Sequence, residues 1–296
     1  MCTELALYHH CIYLEKSVII PYIQYLKHKF LGGNILIKLI ATDMDGTLLN
    51  SKHEINPEFW EVWEKLKAKN ITFICASGRQ YYNLVKKFEE IKDDIYFIAE
   101  NGSFVAYKDE ILHINTLERK KVFEFIELAR KIDGVNIVLC GKNSAYVESN
   151  NSKFIDEVKP YYEKFEIVSS LEEVEDDFLK IALCDFKNSE ENSYKYFKEF
   201  ENKYKITVSG GVWLDISNLD ANKGTAIKKL QEILGVTPKE TLAFGDYLND
   251  VELLESAYHS YAMENAHPKL KEIAKNIAKS NEENGVVEKI KELLEL

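Results

Sequence analysis

Cysteine is scarce in this chain and poorly arranged for either of its structural uses. The five residues, Cys2, Cys11, Cys75, Cys140 and Cys184, are odd in number, widely spaced and form no C-x-x-C pair, so neither a disulfide framework nor a zinc site is indicated. The expectation is a reducing, cytoplasmic setting. The N-x-S/T triplets at Asn70 and Asn101 then mean nothing as glycosylation sites. Cys75, Cys140 and Cys184 fall inside apolar runs and read as small core residues. Long apolar runs are missing too: none approaches the roughly 18 residues of a membrane helix. Glu4 and Glu15, with no basic start, argue against a signal peptide. Positive charge is in deficit, and a net charge of −11 argues against nucleic acid or an anionic membrane surface as the main partner. No internal repeat and no low-complexity linker is found.

What is present is the composition of a soluble globular enzyme, 46% hydrophobic and 29% charged. At 296 residues the chain suits one large domain or a core carrying an inserted second one. From Ile37 onward short apolar strands alternate with helical stretches, the pattern of a parallel sheet covered by helices, so the predicted class is α/β with a Rossmann-like core. Residues 37–43 and 71–77 are near-continuous apolar runs, as strands buried on both faces should be. Asn56-Pro57 starts a helix between them, with Phe59, Trp60, Trp63 and Leu66 at helical spacing. A third strand is expected at 96–100, after a helix over 80–92.

The rhythm then changes. Residues 104–114 read as a hairpin, 117–132 as a helix, and "VNIVLC" with "AYVES" as a second hairpin; a strand at 179–185, a helix at 190–203 and a strand at 205–209 follow. This α+β stretch predicts an inserted domain over 107–212, with the core made of 35–106 and 213–296. The core resumes with "VWLDI" and a helix from Lys223 closed by Gly235. Thr237-Pro238-Lys239-Glu240 forms a capping box before a fourth buried strand, 241–246, and helices at 248–256, 268–275 and 284–295 finish the chain. Residues 1–34 precede all of this. Either they are an added docking segment built on Val18, Ile19, Ile20, Tyr22, Ile23 and Leu26, or translation starts near Leu36, behind a Gly32-Gly33 whose codons can resemble a ribosome-binding sequence. The second reading is preferred, because the first strand needs nothing in front of it.

The chemistry sits at strand ends. In open α/β sheets the reactive crevice lies beyond the carboxyl ends of the strands. "IATDMDGT" puts Asp43 and Asp45 at one such end, Ser77-Gly78-Arg79 lie at a second, Gly245-Asp246 with Asn249-Asp250 at a third, and Lys223 opens a helix nearby. Four converging carboxylates would repel one another unless a cation neutralised them, and all-oxygen ligands select a hard metal such as Mg²⁺. Carboxylates, a serine, a lysine and backbone amides together equip a site to bind a phosphoryl group. Asp43, last in its strand, is aimed as a nucleophile able to form an aspartyl-phosphate. Asp45, two residues on, can protonate the leaving oxygen and then deprotonate water. Gly46 permits the tight turn.

In this order D-x-D-G-T-L, S-G-R, N-K-G and G-D-x-x-N-D resemble the haloacid dehalogenase superfamily, and the place of the insert resembles its Cof-like phosphatase branch with a type IIB cap. The resemblance spans about 36–296. It implies that Asp43 is nucleophile and Mg²⁺ ligand, that Asp45 is general acid/base and lends its carbonyl to the metal, and that Asp246 completes the metal set. It further implies that Met44 (by its amide), Ser77, Gly78, Lys223 and Asn249 hold the phosphoryl group, with Asp250 supporting Lys223 or the metal shell. Arg79 reads equally as a substrate clamp or an ordinary ion-pair residue, and Asn101-Gly102 as an entrance or a turn; His9-His10 and His267 read as structural. The expected activity is Mg²⁺-dependent hydrolysis of small phosphate esters, sugar phosphates or phosphorylated cofactors, by a monomer or weak homodimer. A phosphomannomutase-like mutase is the enzymatic alternative, and a non-catalytic phosphometabolite sensor the alternative of another class.

Overall fold

The computed structural model describes residues 36–209 and 211–296; the readings made of residues 1–34 lie outside them. In chain order the elements are β1 (Leu39–Thr42), α1 (Glu58–Ala68), β2 (Thr72–Ala76), α2 (Tyr81–Lys87), β3 (Tyr96–Ala99), β4 (Phe104–Tyr107), β5 (Glu110–Ile114), α3 (Arg119–Ala129), β6 (Val135–Gly141), β7 (Ala145–Val147), α4 (Ser152–Val158) and β8 (Phe165–Ile167). They continue with β9 (Phe178–Asp185), α5 (Tyr194–Phe197), β10 (Tyr204–Val208), β11 (Trp213–Asn218), α6 (Lys223–Leu234), β12 (Thr241–Gly245), α7 (Val251–Glu255), β13 (His259–Met263), α8 (Pro268–Ile273), β14 (Asn276–Ala278) and α9 (Gly285–Leu294).

Two sheets organise the chain. The first has the order β14-β13-β12-β1-β2-β3-β4-β5, parallel from β14 to β3 and antiparallel beyond. All four residues of β1 and all five of β12 are buried, because helices cover both faces, which is why these strands read as unbroken apolar runs. Their register decides the site. Thr42 pairs with Phe244 on one side and Cys75 on the other, so the next residues along each strand bring Asp43 beside the starts of the Gly245-Asp246 and Ser77-Gly78 turns. Helix α1 packs Phe59, Val62, Trp63 and Leu66 inward, and just ahead of it Asn56 Oδ1 accepts from the Glu58 amide at 3.0 Å.

The second sheet, β10-β11-β9-β6-β7-β8, is antiparallel except for β7 with β8. One of its faces packs Ile181, Leu183, Leu214 and Ile216 against Val122 and Phe125 of α3. The other holds Val138, Cys140, Ala182 and Trp213 with Phe154 and Val158 of α4.

Strand pairing shifts both edges expected for the inserted segment. The hairpin β4–β5, including the residues from 107 onward, extends the first sheet through Phe97↔Ala106 and Ile98↔Val105, so it belongs to the core. Residues 213–218 pair with β9 and β10, so "VWLDI" belongs to the insert and not to the core. Apolar alternation is the same whichever sheet a strand joins, and only long-range pairing separates the two cases. The helix expected at 190–203 shrinks to α5 and a 3₁₀ turn at Lys198–Phe200, and β13, β14, α4 and β8 were not anticipated. Cys75, Cys140 and Cys184 are buried, as expected of core residues. Among the described residues no helix is long and apolar enough to cross a membrane.

Candidate active site

β1 delivers Asp43 into the crevice and the chain then turns on Gly46, at φ +75°. That conformation is open to glycine and strained for other residues, and a Cβ at this position would also collide with the Asp246 carboxylate. Thr47 Oγ1 donates to Asp246 Oδ1 at 3.1 Å, joining the first and fourth motifs. Helix α6 begins at Asn222, whose Oδ1 accepts from the Thr225 amide at 2.8 Å, and its first residue points Lys223 inward with none of its surface exposed.

Lys223 Nζ donates to Asp43 Oδ1 at 2.5 Å and to Asp250 Oδ1 at 2.6 Å. Asp250 Oδ2 accepts from the amides of Asp246 and Tyr247, at 3.0 and 3.2 Å, so both its oxygens are engaged. Its geometry is that of a strut holding Lys223 and the Gly245–Tyr247 turn. Carboxylate oxygens of Asp43, Asp246 and Asp250 lie within 4.8 Å of one another. Burial pushes the Asp43 carboxyl well above the ordinary carboxylate range, and the charges of Asp250 and Asp246 add to this against the pull of Lys223. Burial, and then the charge of Asp250, push Asp246 up to about 7. Lys223 is disfavoured as a cation by burial, yet Asp250 and Asp43 hold its ammonium above the ordinary lysine value. Three carboxylates thus face one ammonium, a deficit that a hard cation on oxygen ligands corrects.

Asp45 points elsewhere. Arg79 grips it in a fork, Nε to Oδ2 and Nη2 to Oδ1, both at 2.6 Å, and His53 Nδ1 lies 3.1 Å from Oδ1. Burial alone would raise the Asp45 carboxyl, but the Arg79 bonds and charge outweigh it and hold the group below its ordinary value. Arg79, only 4% exposed, is therefore an ion-pair residue, and its Nη1 also donates to Pro160 O of the insert at 2.8 Å. Ser77 Oγ accepts from the Arg79 amide at 3.1 Å.

A cavity of about 300 Å³ opens over these groups, lined from below by Asp43, Asp45, Ser77, Gly78, Asp246 and Asn249. Met44, Lys223 and Asp250 are fully buried behind them. Of the four carboxylates expected to converge, the structure brings Asp43, Asp246 and Asp250 together and turns Asp45 to Arg79, while Ser77, Gly78 and Asn249 line the same cavity. Asn101, at φ +55°, serves as both turn and lining, since it accepts from Asn249 Nδ2 at 3.0 Å while facing the cavity. His267 caps α8 by accepting from the Lys269 amide, a structural role as expected.

The cavity roof was missed by sequence reasoning. It consists of Tyr161, Tyr162, Lys180, Trp213 and Asp215 from the insert, with Glu100 of the core beneath them. Lys180, 4% exposed, donates to Gly78 O at 3.0 Å and pairs with Glu100 Oε2 at 2.9 Å and Asp215 Oδ2 at 3.5 Å. Burial opposes its charge, but Asp215 and Glu100 hold its ammonium above the ordinary lysine value. A signal existed: lone charges inside "FLKIALCD" and "VWLDI" are as anomalous as the two acids after β1.

The model of haloacid dehalogenase-like hydrolases matches residues 40–290. The chain is 34% identical to a 5-amino-6-(5-phospho-D-ribitylamino)uracil phosphatase of Escherichia coli, over 87% of this chain and 96% of that protein. A Streptococcus mutans crystal structure superposes with a TM-score of 0.81 at 30% identity, covering 88% of this chain and all of that one. A subclass IIB sugar phosphatase of the same superfamily, at 20% identity, shares the fold with a TM-score of 0.76 over 88% of this chain and 100% of its own. The chain belongs to the haloacid dehalogenase-like hydrolases, as a phosphatase of their Cof-like branch.

Proposed function

We propose that this phosphatase is Mg²⁺-dependent, hydrolyses small phosphorylated metabolites and passes through a phosphoryl group carried on Asp43. The observation that carries the reading is the buried Asp43–Lys223–Asp250 chain opening into a cavity of about 300 Å³, the size of a metabolite rather than a macromolecule. Asp43, Asp246 and the Asp45 carbonyl are the groups that would hold the cation, and the carboxylates of Asp43, Asp246 and Asp250 fit it: hard oxygens, clustered and short of positive charge. A bound Mg²⁺ would neutralise charge developing on the transferring phosphoryl oxygens.

The chain's own residues do the rest. Asp43 Oδ attacks phosphorus as the ester oxygen leaves, while Lys223 orients that carboxyl. Ser77, Lys223, Asn249 and the Met44 and Gly78 amides hold the phosphoryl oxygens. Asp45 gives a proton to the leaving oxygen and later takes one from water, and to do so it must turn one oxygen away from the Arg79 fork. The substrate of the Escherichia coli relative, a pyrimidine bearing a phosphorylated ribityl chain, is of the class expected here, as are sugar phosphates.

Phosphate release from p-nitrophenyl phosphate and from a panel of metabolite esters tests the reading. Turnover should require Mg²⁺, stop in EDTA and return when Mg²⁺ is restored. Full activity in a metal-free sample, or no release from any ester, would overturn it.

A further inference from the structure

Lys180 is a buried charge with no task in the chemistry proposed above. Strand β9 alternates, with Ile181 and Leu183 packed toward α3 and Ala182 and Cys184 toward α4, and Lys180 shares the second face at the cavity. An ammonium offers three donors and is costly to bury unless each finds a partner. Here one goes to Gly78 O at 3.0 Å, and Glu100 Oε2 and Asp215 Oδ2 lie 2.9 and 3.5 Å away.

Gly78 sits in the turn that holds the phosphoryl group in this reading, and the three carbonyls of that turn are held from two sides. Ser77 O accepts from the Asn101 amide and Arg79 O from the Glu100 amide, both at 3.0 Å and both within the core. Gly78 O, between them, is held by a side chain of the insert. The peptide unit that begins with this carbonyl ends in the Arg79 N–H, which donates to Ser77 Oγ at 3.1 Å. The orientation of one peptide plane therefore fixes both contacts. With its carbonyl on Lys180, its N–H occupies a lone pair of Ser77 Oγ and leaves the hydroxyl proton for a phosphoryl oxygen. The next two residues are tied to the insert as well: Arg79 Nη1 donates to Pro160 O at 2.8 Å, and Gln80 makes a reciprocal pair with the Lys164 backbone at 2.7 and 2.9 Å.

We infer that Lys180 is a positioning residue for phosphoryl binding, an insert side chain that sets the peptide plane on which Ser77 of the core depends. The inference rests on the phosphatase reading above and deepens it, since the phosphoryl site is then complete only while the insert sits on the core. Lys180 acts through Gly78 and Ser77, so its effect belongs to the phosphoryl group common to every ester and to free phosphate. The alcohol should not matter.

The test measures binding of inorganic phosphate by titration calorimetry in Mg²⁺, and kcat/KM for p-nitrophenyl phosphate and for the best metabolite ester of the panel. It compares full-length wild type, Glu100→Gln, Lys180→Gln and the double variant Lys180→Met with Glu100→Gln, each checked for folding by thermal melting. The double variant removes the ammonium without leaving Glu100 charged and unpaired. Its phosphate Kd should rise on the order of 10- to 100-fold, the worth of a hydrogen bond to a charged group, and kcat/KM should fall by a similar factor on both esters. Lys180→Gln keeps a donor for Glu100 but is one bond too short for Gly78 O, so it should show the same loss even if the double variant does not fold. Glu100→Gln keeps the bond to Gly78 and should stay within about threefold of wild type throughout. Equal losses in Glu100→Gln would overturn the inference by reducing Lys180 to half of an ion pair. Unchanged phosphate binding in the Lys180 variants would overturn it too, as would a loss confined to one ester, which would put Lys180 on the leaving group. Wild type that hydrolyses no ester fails the phosphatase reading itself, and the phosphate titration still decides for or against Lys180.

Discussion

Replacing Asp246 by Asn should stabilise the metal-free protein at alkaline pH while destroying its metal site. Burial and the neighbouring Asp250 charge push the Asp246 carboxyl up to about 7, whereas the unfolded chain holds it near ~3.9. The folded state therefore binds this proton more tightly than the unfolded one. Its contribution to stability is complete below about pH 4 and is lost as pH rises toward 7. About three pH units at ~1.36 kcal/mol each give an upper figure of about 4 kcal/mol. Asp43 competes for the same proton, so we expect about 2–4 kcal/mol, which for a unit of this size is a Tm difference of about 5–10 °C. Asparagine is neutral, nearly isosteric, and keeps an oxygen to accept from Thr47 Oγ1. Thermal unfolding in EDTA should therefore find Asp246→Asn more stable than wild type at pH 8 and equal to it near pH 4. Saturating Mg²⁺ should reverse the order at pH 8, because only wild type gains from the ion. Identical melting temperatures at pH 8 in EDTA would refute the claim that the cluster is short of positive charge.

Asp43→Asn should keep the fold and lose on the order of 10³ or more in turnover, since the amide cannot attack phosphorus; a tenth of wild-type activity remaining in a clean preparation would remove Asp43 as nucleophile. Asp45→Asn should cost on the order of 10²–10⁴ with a poor leaving group and less with p-nitrophenyl phosphate, and equal losses would make Asp45 structural. Arg79→Gln frees the Asp45 carboxyl to follow its burial upward, so the alkaline limb of the kcat/KM profile, where Asp45 must still carry the proton it gives to the leaving oxygen, should move to higher pH; an unmoved limb would show that Arg79 does not set this proton. Gly46→Ala should lower both stability and apparent Mg²⁺ affinity, because its Cβ meets Asp246, and a variant with wild-type metal titration would contradict the geometry.

Much of the core was legible because its signals are local. An apolar run ending in an acid, a helix opening at Lys223 and a glycine after Leu234 each act over a few residues of chain, and each sits where the sequence places it. The motif order at strand ends was equally readable, and parallel pairing of β12, β1 and β2 brings those ends together. What sequence alone could not decide was which sheet claims a strand. The hairpin over 104–114 and the strand over 213–218 show the same alternation in either sheet, and hydrogen-bonded neighbours far away in the chain settle it. The same holds for the roof of the site. Lys180 meets Gly78 across 102 positions and Asn101 meets Asp215 across 114, so neither partner has a local mark of the other. Arg79 likewise could be read two ways until the fold buried it against Asp45, because an ion pair's partner is a fact of three-dimensional distance. The sequence by itself thus determined which polar residues stand at the strand ends, because they cluster in short motifs. Tertiary structure alone decided the far wall of the cavity, whose residues come together only when strands distant in the chain close on one space.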